Sequence, residues 1–389
     1  MALRSSGAVA PGRIDYLAPD YDRPSWGVAL LYEHVRLLCE MGHEARVLHH
    51  RAPFRLSWLE HDAPVGHLDS LDREPSAVDL LVVPEVLAAE AARLPFAWRR
   101  VVFVQGSFLV PAGLGGAADY RELGYELALA VLPHVAAVVE RHFGVRAEVT
   151  PPFVAPYFFR DPDEIARRPR SRIVLLVAKP EYRRAGFPDY DIFDLLVRRR
   201  LEAEERSAPG GLEPHGRGDT AAARGGPGPH ALGSGQLAPA GDRERWRVME
   251  LDGSLPHREV ASLMARASLL VNLNTHEAFN TTVPEAMAAG CLPICYDAFG
   301  GRDFLVDGEN AFVFPNHHIY PLIEKTLELI GRGGPAGGEV QGEQEGEAAA
   351  ELSRMRLAAR ESAGRFDVEA TRAALARVFP PPPASKPGR

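Results

Sequence analysis

Short continuous apolar runs alternate along this chain with stretches whose apolar residues recur at helical spacing. Residues 14–17 form the first run. A turn containing Pro24, Ser25 and Gly27 follows, and then Val28, Leu30, Leu31, Val35, Leu37, Leu38 and Met41 repeat at the period of a helix. Gly42 stands where a helix C-terminus favours glycine, and residues 45–48 read as the next strand. Strand, turn, helix and strand in this order make one unit of a parallel sheet. Strands buried on both faces read as unbroken apolar runs rather than as alternation. Residues 80–83, 101–104 and 147–150 carry that signature, while 120–139 read as one helix or two. The pattern resumes with a strand at 173–178, a helix over about 191–206 and a strand at 246–251. It continues with a helix at 257–266, a strand at 269–273, a helix opening near Val283 and ending at Gly290, and a strand at 292–296.

This order predicts an α/β protein of two facing Rossmann-like domains, each built on a parallel sheet. The first spans 13–160 and the second 170–330, with a connection at 151–159 between them. A helical segment at 348–379 follows, with Asp367 as the N-cap of its last helix. Its final helix is expected to pack back on the first domain. The stretch 207–242, and a second from 331 to about 346, are rich in Gly and Ala and poor in large apolar residues. Such sequence cannot bury enough surface to offset its ordering entropy, so both are expected to be disordered. The same holds for the proline-rich tail at 380–389 and the first dozen residues.

Length and composition agree with this picture. A chain of 389 residues suits two cores better than one, and 46% apolar residues supply them. A formal net charge of −8 argues against a general nucleic-acid binder, which needs basic surface to neutralise phosphates. The local clusters at Arg167, Arg168, Arg170 and Arg172, and at 198–200, read as a solvated loop and a polar helix face. Cys39, Cys291 and Cys295 form neither a disulfide framework nor a zinc pattern, which points to a reducing cytoplasm. No apolar core of a signal peptide is read, and no run approaches the roughly 20 apolar residues of a membrane span. Contact with a membrane surface stays open.

The chemistry concentrates in residues 276–290. Glu277 falls in a loop just after a buried strand, and Glu285 in the first turn of the next helix. Open α/β sheets bind ligands at the carboxyl ends of their strands. Asn280, Thr281 and Thr282 lie between the two carboxylates, at a helix N-terminus whose free amides and dipole favour a phosphate. An anion site flanked by two carboxylates fits a nucleotide sugar, with its sugar hydroxyls, diphosphate and ribose hydroxyls. Either glutamate alone reads as readily as a surface residue; the pair in this setting does not.

The segment resembles the Glu-x7-Glu motif of the retaining glycosyltransferases of family 4, which have the GT-B fold. The two glutamates, Phe279, Ala286, Met287, Ala288 and Gly290 match that pattern, while Ala278 and Asn280 stand where it carries glycines. Gly300, Gly301, Asp307 and Gly308 resemble the family's next loops. The resemblance implies glycosyl transfer with retention, Glu277 orienting the donor sugar and Glu285 binding the ribose. It also implies a basic pair after the first strand of the second domain. Lys179 and Arg184 match its spacing with the residue types exchanged, and Arg183 is an alternative. Two fixed cations there would hold the diphosphate and stabilise the leaving group's charge. On the acceptor side, the resemblance directs attention to Ser25 and Gly27 in the first turn. Gln105 and Gly106 should face the same cleft from another strand exit.

The expected partners are a nucleotide sugar and a glycan, lipid-linked or small-molecule acceptor. No cofactor and no catalytic metal is expected: His134, His142, His317 and His318 lack ligand spacing, and no Asp-x-Asp motif stands out. A non-catalytic GT-B-like protein that binds a glycan or nucleotide is the alternative. A nicotinamide-dependent enzyme is disfavoured, because no Gly-x-Gly-x-x-Gly follows the first strand.

Overall fold

The computed structural model describes residues 12–167, 171–178, 188–207, 245–331 and 343–382. Two parallel sheets organise them. The first contains β1 (Arg13–Leu17), β2 (Glu44–His49), β3 (Val65–His67), β4 (Leu80–Pro84), β5 (Arg99–Val104), β6 (Tyr125–Ala130) and β7 (Ala147–Val149). Their order is β3-β2-β1-β4-β5-β6-β7, the doubly wound dinucleotide-binding order extended by one strand. The second contains β8 (Ser171–Val177), β9 (Arg247–Leu251), β10 (Ala267–Asn272), β11 (Leu292–Tyr296) and β12 (Phe312–Phe314). Its order, β12-β11-β10-β8-β9, is the flavodoxin-like one. The strand order therefore reverses between β1 and β4 in one sheet and between β8 and β10 in the other.

The apolar runs became central strands. Residues 80–83 and 101–104 are at most 1% exposed, as are Val174, Leu175, Leu176, Leu270 and Val271 in the second sheet. One expectation is corrected. Residues 125–130 form β6 rather than part of a helix, pairing with β5 on one side and β7 on the other. Leu, Ala and Glu favour a helix locally, but burial between two strands overrides that weak preference. The helix after β6 is confined to Pro133–His142. The short strands β3 and β12, three residues each, had no reading of their own.

Two helices that precede strands end alike. After Trp26–Glu40, Gly42 takes φ of +86°, its N–H reaching the Cys39 carbonyl while His43 N–H reaches Leu38. After Thr282–Ala288, Gly290 (φ +70°) bonds Met287 and Cys291 bonds Ala286 in the same Schellman geometry.

The last helix, Val368–Val378, packs on the first domain as expected. Asp367 caps it by accepting the Ala370 N–H at 2.8 Å. Thr371 donates to the Pro151 carbonyl, His43 Nε2–H to that of Phe379, and Arg372 pairs with Glu40. The preceding helix starts at Glu343, earlier than expected. Apart from Ser207, the expected insertion at 207–242 lies outside the described residues. So does most of the second such stretch and of both termini.

Candidate functional site

The carboxyl end of β10, beside the switch point of the second sheet, carries a set of amides and a carboxylate that hold one another. Asn272, the last residue of β10, donates from Nδ2 to Asn280 Oδ1 at 2.7 Å and accepts the Asn274 N–H at 3.0 Å. Asn274 Nδ2 donates to Glu277 Oε1 at 3.2 Å, and Glu277 N–H donates to the Ala298 carbonyl. Glu277 is thus half-buried and oriented. Asn280, standing where the motif has glycine, adopts φ of +54°. Asparagine is the side chain that best tolerates this left-handed region, so the departure from glycine costs little. Ala278 has no positive φ and is buried.

Gly300 answers a different demand. A Cβ there would lie 2.3 Å from the Ala278 carbonyl oxygen and 2.7 Å from that of Glu277. The loop bearing Glu277 and the loop after β11 meet backbone to backbone. Ala298 and Phe299, at φ +47° and +63°, hold this approach in strained conformations of the kind that cluster at functional sites.

Glu285 sits in the first turn of its helix and is 4% exposed. Its Oε1 lies 2.8 Å from His257 Nε2, and His257 Nδ1 lies 2.6 Å from the Tyr157 hydroxyl. Thr281 and Thr282 open the same helix, and Thr281 makes no side-chain cap. Lys179, Arg183 and Arg184 lie outside the described residues.

The other predicted residues lie in the first domain and contact one another there. Gln105 donates from Nε2 to the Gly27 carbonyl at 3.1 Å, and a Cβ on Gly27 would come within 2.5 Å of Gln105 Oε1. Ser25 is the N-cap of the Trp26–Glu40 helix without a side-chain cap bond. Gln105 and Gly106 both donate their N–H groups to Glu85 Oε1, at 3.2 and 2.8 Å. Glu85 directly follows β4 and was missed by sequence reasoning. Burial pushes its carboxyl up to about 7, against the lowering effect of those amides. An acid straight after an unbroken apolar run and Pro84 was the available signal.

Contacts between the domains flank the cleft. His134 donates its backbone N–H to Asp303, whose carboxylate also lies 2.6 Å from the His134 ring. The Phe108 ring meets His276 and Phe299 edge-on at 5.4 and 5.3 Å, and Trp26 lies 6.0 Å from His257. Within the second domain, His317 pairs with Asp189 at 2.9 Å. Among the described residues no group of three His, Cys, Asp or Glu is placed to hold a metal.

Residues 243–332 match the family model described as glycosyl transferases group 1. That stretch contains Glu277, Glu285, His257 and Gly300. No curated protein sequence matches the chain. Solved structures do. A sucrose-phosphate synthase from Thermosynechococcus elongatus superposes with a TM-score of 0.58 at 13% identity, covering 93% of this chain and 96% of that one. A glycosyltransferase from Rickettsia africae gives 0.56 at 12%, covering 93% and 96%. Anabaena HepE, in complex with UDP and glucose, gives 0.59 at 14%, covering 94% and 98%. At such identity the likeness speaks for the fold, and the fold is GT-B: two Rossmann-like domains with parallel sheets of seven and five strands.

Proposed function

We propose that this protein transfers a sugar from a nucleoside-diphosphate sugar to an acceptor, with retention at the anomeric carbon. The observation that carries the reading is the pair Glu277 and Glu285. The segment that leaves β10 beside the second sheet's switch point bears both, Glu277 in its loop and Glu285 in the following helix, inside the stretch that matches glycosyl transferases group 1. The UDP and UDP-glucose complexes of Anabaena HepE support a nucleotide sugar as donor and make UDP-glucose the first to try.

In this reading the donor lies against the second domain. Glu285 accepts hydrogen bonds from the ribose, and Glu277, oriented by Asn274, from the sugar. β8 ends at Val177, which pairs with Asn272, so the chain enters the segment with Lys179, Arg183 and Arg184 from beside the asparagine loop. Lys179 and Arg184, or Arg183 in its place, hold the diphosphate together with the amides of Asn280, Thr281 and Thr282. As the bond from the anomeric carbon to the diphosphate oxygen breaks, fixed cations and amides stabilise the departing negative charge without reorganisation. No metal is needed for that role. The acceptor enters from the first domain, past Ser25, Gly27, Gln105 and Gly106. We also place the protein in the reducing cytoplasm, where Cys39, Cys291 and Cys295 remain free thiols. Among the described residues no helix is long and apolar enough to cross a membrane.

The test is nucleotide release from a panel of UDP-, GDP- and ADP-sugars, with and without candidate acceptors. Release of a nucleoside diphosphate from one donor, slowed in Glu277→Gln, is the expected result. Tight diphosphate binding with no turnover of any donor would move the reading to a non-catalytic binding protein.

A further inference from the structure

We propose that His257 is a positioning residue of the nucleotide site: its Nε2–H holds one oxygen of Glu285 and thereby aims the other at the ligand. This rests on the reading above, in which Glu285 receives the ribose. A carboxylate can only accept, so Nε2, 2.8 Å from Glu285 Oε1, is the nitrogen that donates to it. In the neutral ring, which has one N–H, the Tyr157 hydroxyl at 2.6 Å from Nδ1 is then the donor to the imidazole. Burial, and next the charge of Glu285, push the Tyr157 phenol upward, so it keeps the proton it donates.

The ring is held by packing as well. Phe158 lies 4.8 Å from it, centroid to centroid, and the Arg258 guanidinium covers Tyr157 at 4.5 Å. The His257 side chain is 40% exposed and that of Glu285 only 5%, so the imidazole forms the rim over a recessed carboxylate. An isolated glutamate would have to be ordered by its ligand, whereas this one is ordered beforehand, which lowers the cost of binding. The three groups come from three segments: the connection between the sheets, the helix after β9 and the helix after β10. Trp26, from the first domain's turn, stands against the same ring. The nucleotide carboxylate is thereby tied to the junction of the two domains.

Two measurements test this. In 15N-histidine-labelled protein, the imidazole shifts should show His257 as the Nε2–H tautomer, and Tyr157→Phe should mix the tautomers. An Nδ1–H tautomer in the wild type would overturn the assignment. Calorimetry with UDP, GDP and ADP supplies the second. His257→Ala should weaken binding of the nucleoside diphosphate that the wild type takes by about tenfold, the worth of a hydrogen bond to a charged group. His257→Gln, whose amide can donate, should recover most of it. The double variant with Glu285→Gln should bind within about twofold of Glu285→Gln alone, because both substitutions break one coupled unit. Fully additive losses, or tighter binding in His257→Ala, would overturn the role of His257 while leaving the nucleotide reading intact. A wild type that binds none of the three diphosphates would overturn the nucleotide reading itself.

Discussion

Glu85 offers the sharpest quantitative check on how this molecule holds its cleft together. The side chain is 2% exposed and accepts two backbone N–H groups from the strand exit that carries Gln105 and Gly106. Burial raises its carboxyl from an ordinary 4.5 to about 7. Between those values the folded protein binds more protons than the unfolded chain, so stability falls as pH rises through that window. The full penalty is present above pH 7, and a shift of this size corresponds to about 3 kcal/mol. Glu85→Gln removes the charge and keeps an oxygen that can accept from Gln105 and Gly106. Stability of the variant relative to the wild type should therefore rise by about 3 kcal/mol between pH 4.5 and pH 8. Every other titrating group is common to both proteins and cancels in the difference. Urea unfolding at the two pH values, followed by tryptophan fluorescence, reports mainly on the right domain, since Trp26, Trp58 and Trp98 belong to the first and Trp246 to the second. A difference between variant and wild type that does not change with pH would show that the carboxyl bears no burial penalty, and the account of this loop would fail.

The other predictions concern the second domain and the insertion. Glu285→Gln should weaken nucleoside-diphosphate binding tenfold to a hundredfold by calorimetry, as about 1.5–3 kcal/mol of charged hydrogen bonding is lost. Glu277→Gln should leave that affinity nearly unchanged and lower turnover; loss of binding in both alike would mean that the loop does not read the two ends of the donor separately. Gly300→Ala drives a methyl into the Ala278 and Glu277 carbonyls, so over-packing should cost about 1–3 kcal/mol and lower the thermal midpoint. Gly364→Ala, with open space at that position, should change the midpoint little; equal effects at both glycines would discredit the close approach. Replacing residues 208–242 by a short Gly-Ser linker should leave folding and donor binding nearly intact, because closure cost varies slowly with loop length. Failure to recover folded protein would show that the segment contributes to a core.

Much of the fold was legible because its physics is local. β4, β5, β8, β10 and β11 announce themselves, since a parallel strand covered on both faces must be apolar throughout. Gly42 and Gly290 mark helix ends because a left-handed residue is needed there, and Asp367 marks a start because its carboxylate can take an orphan amide. The positions of Glu277 in the loop after β10 and of Glu285 in the first turn of the next helix were legible for a similar reason, since both follow from the local pattern of strand and helix. What required tertiary structure was every feature set by a distant neighbour. Residues 125–130 carry helix-forming Leu, Ala and Glu, and only the open edges of β5 and β7 make them a strand. Glu85 looks like any loop acid until the fold buries it under the amides of residues 20 and 21 positions later. His257 meets Glu285 across 28 residues and Tyr157 across 100, distances at which no periodicity or spacing carries information. Local sequence determined the central apolar strands and the caps. Contacts between segments far apart in the chain decided which titratable groups are buried and which partners hold Glu85 and Glu285.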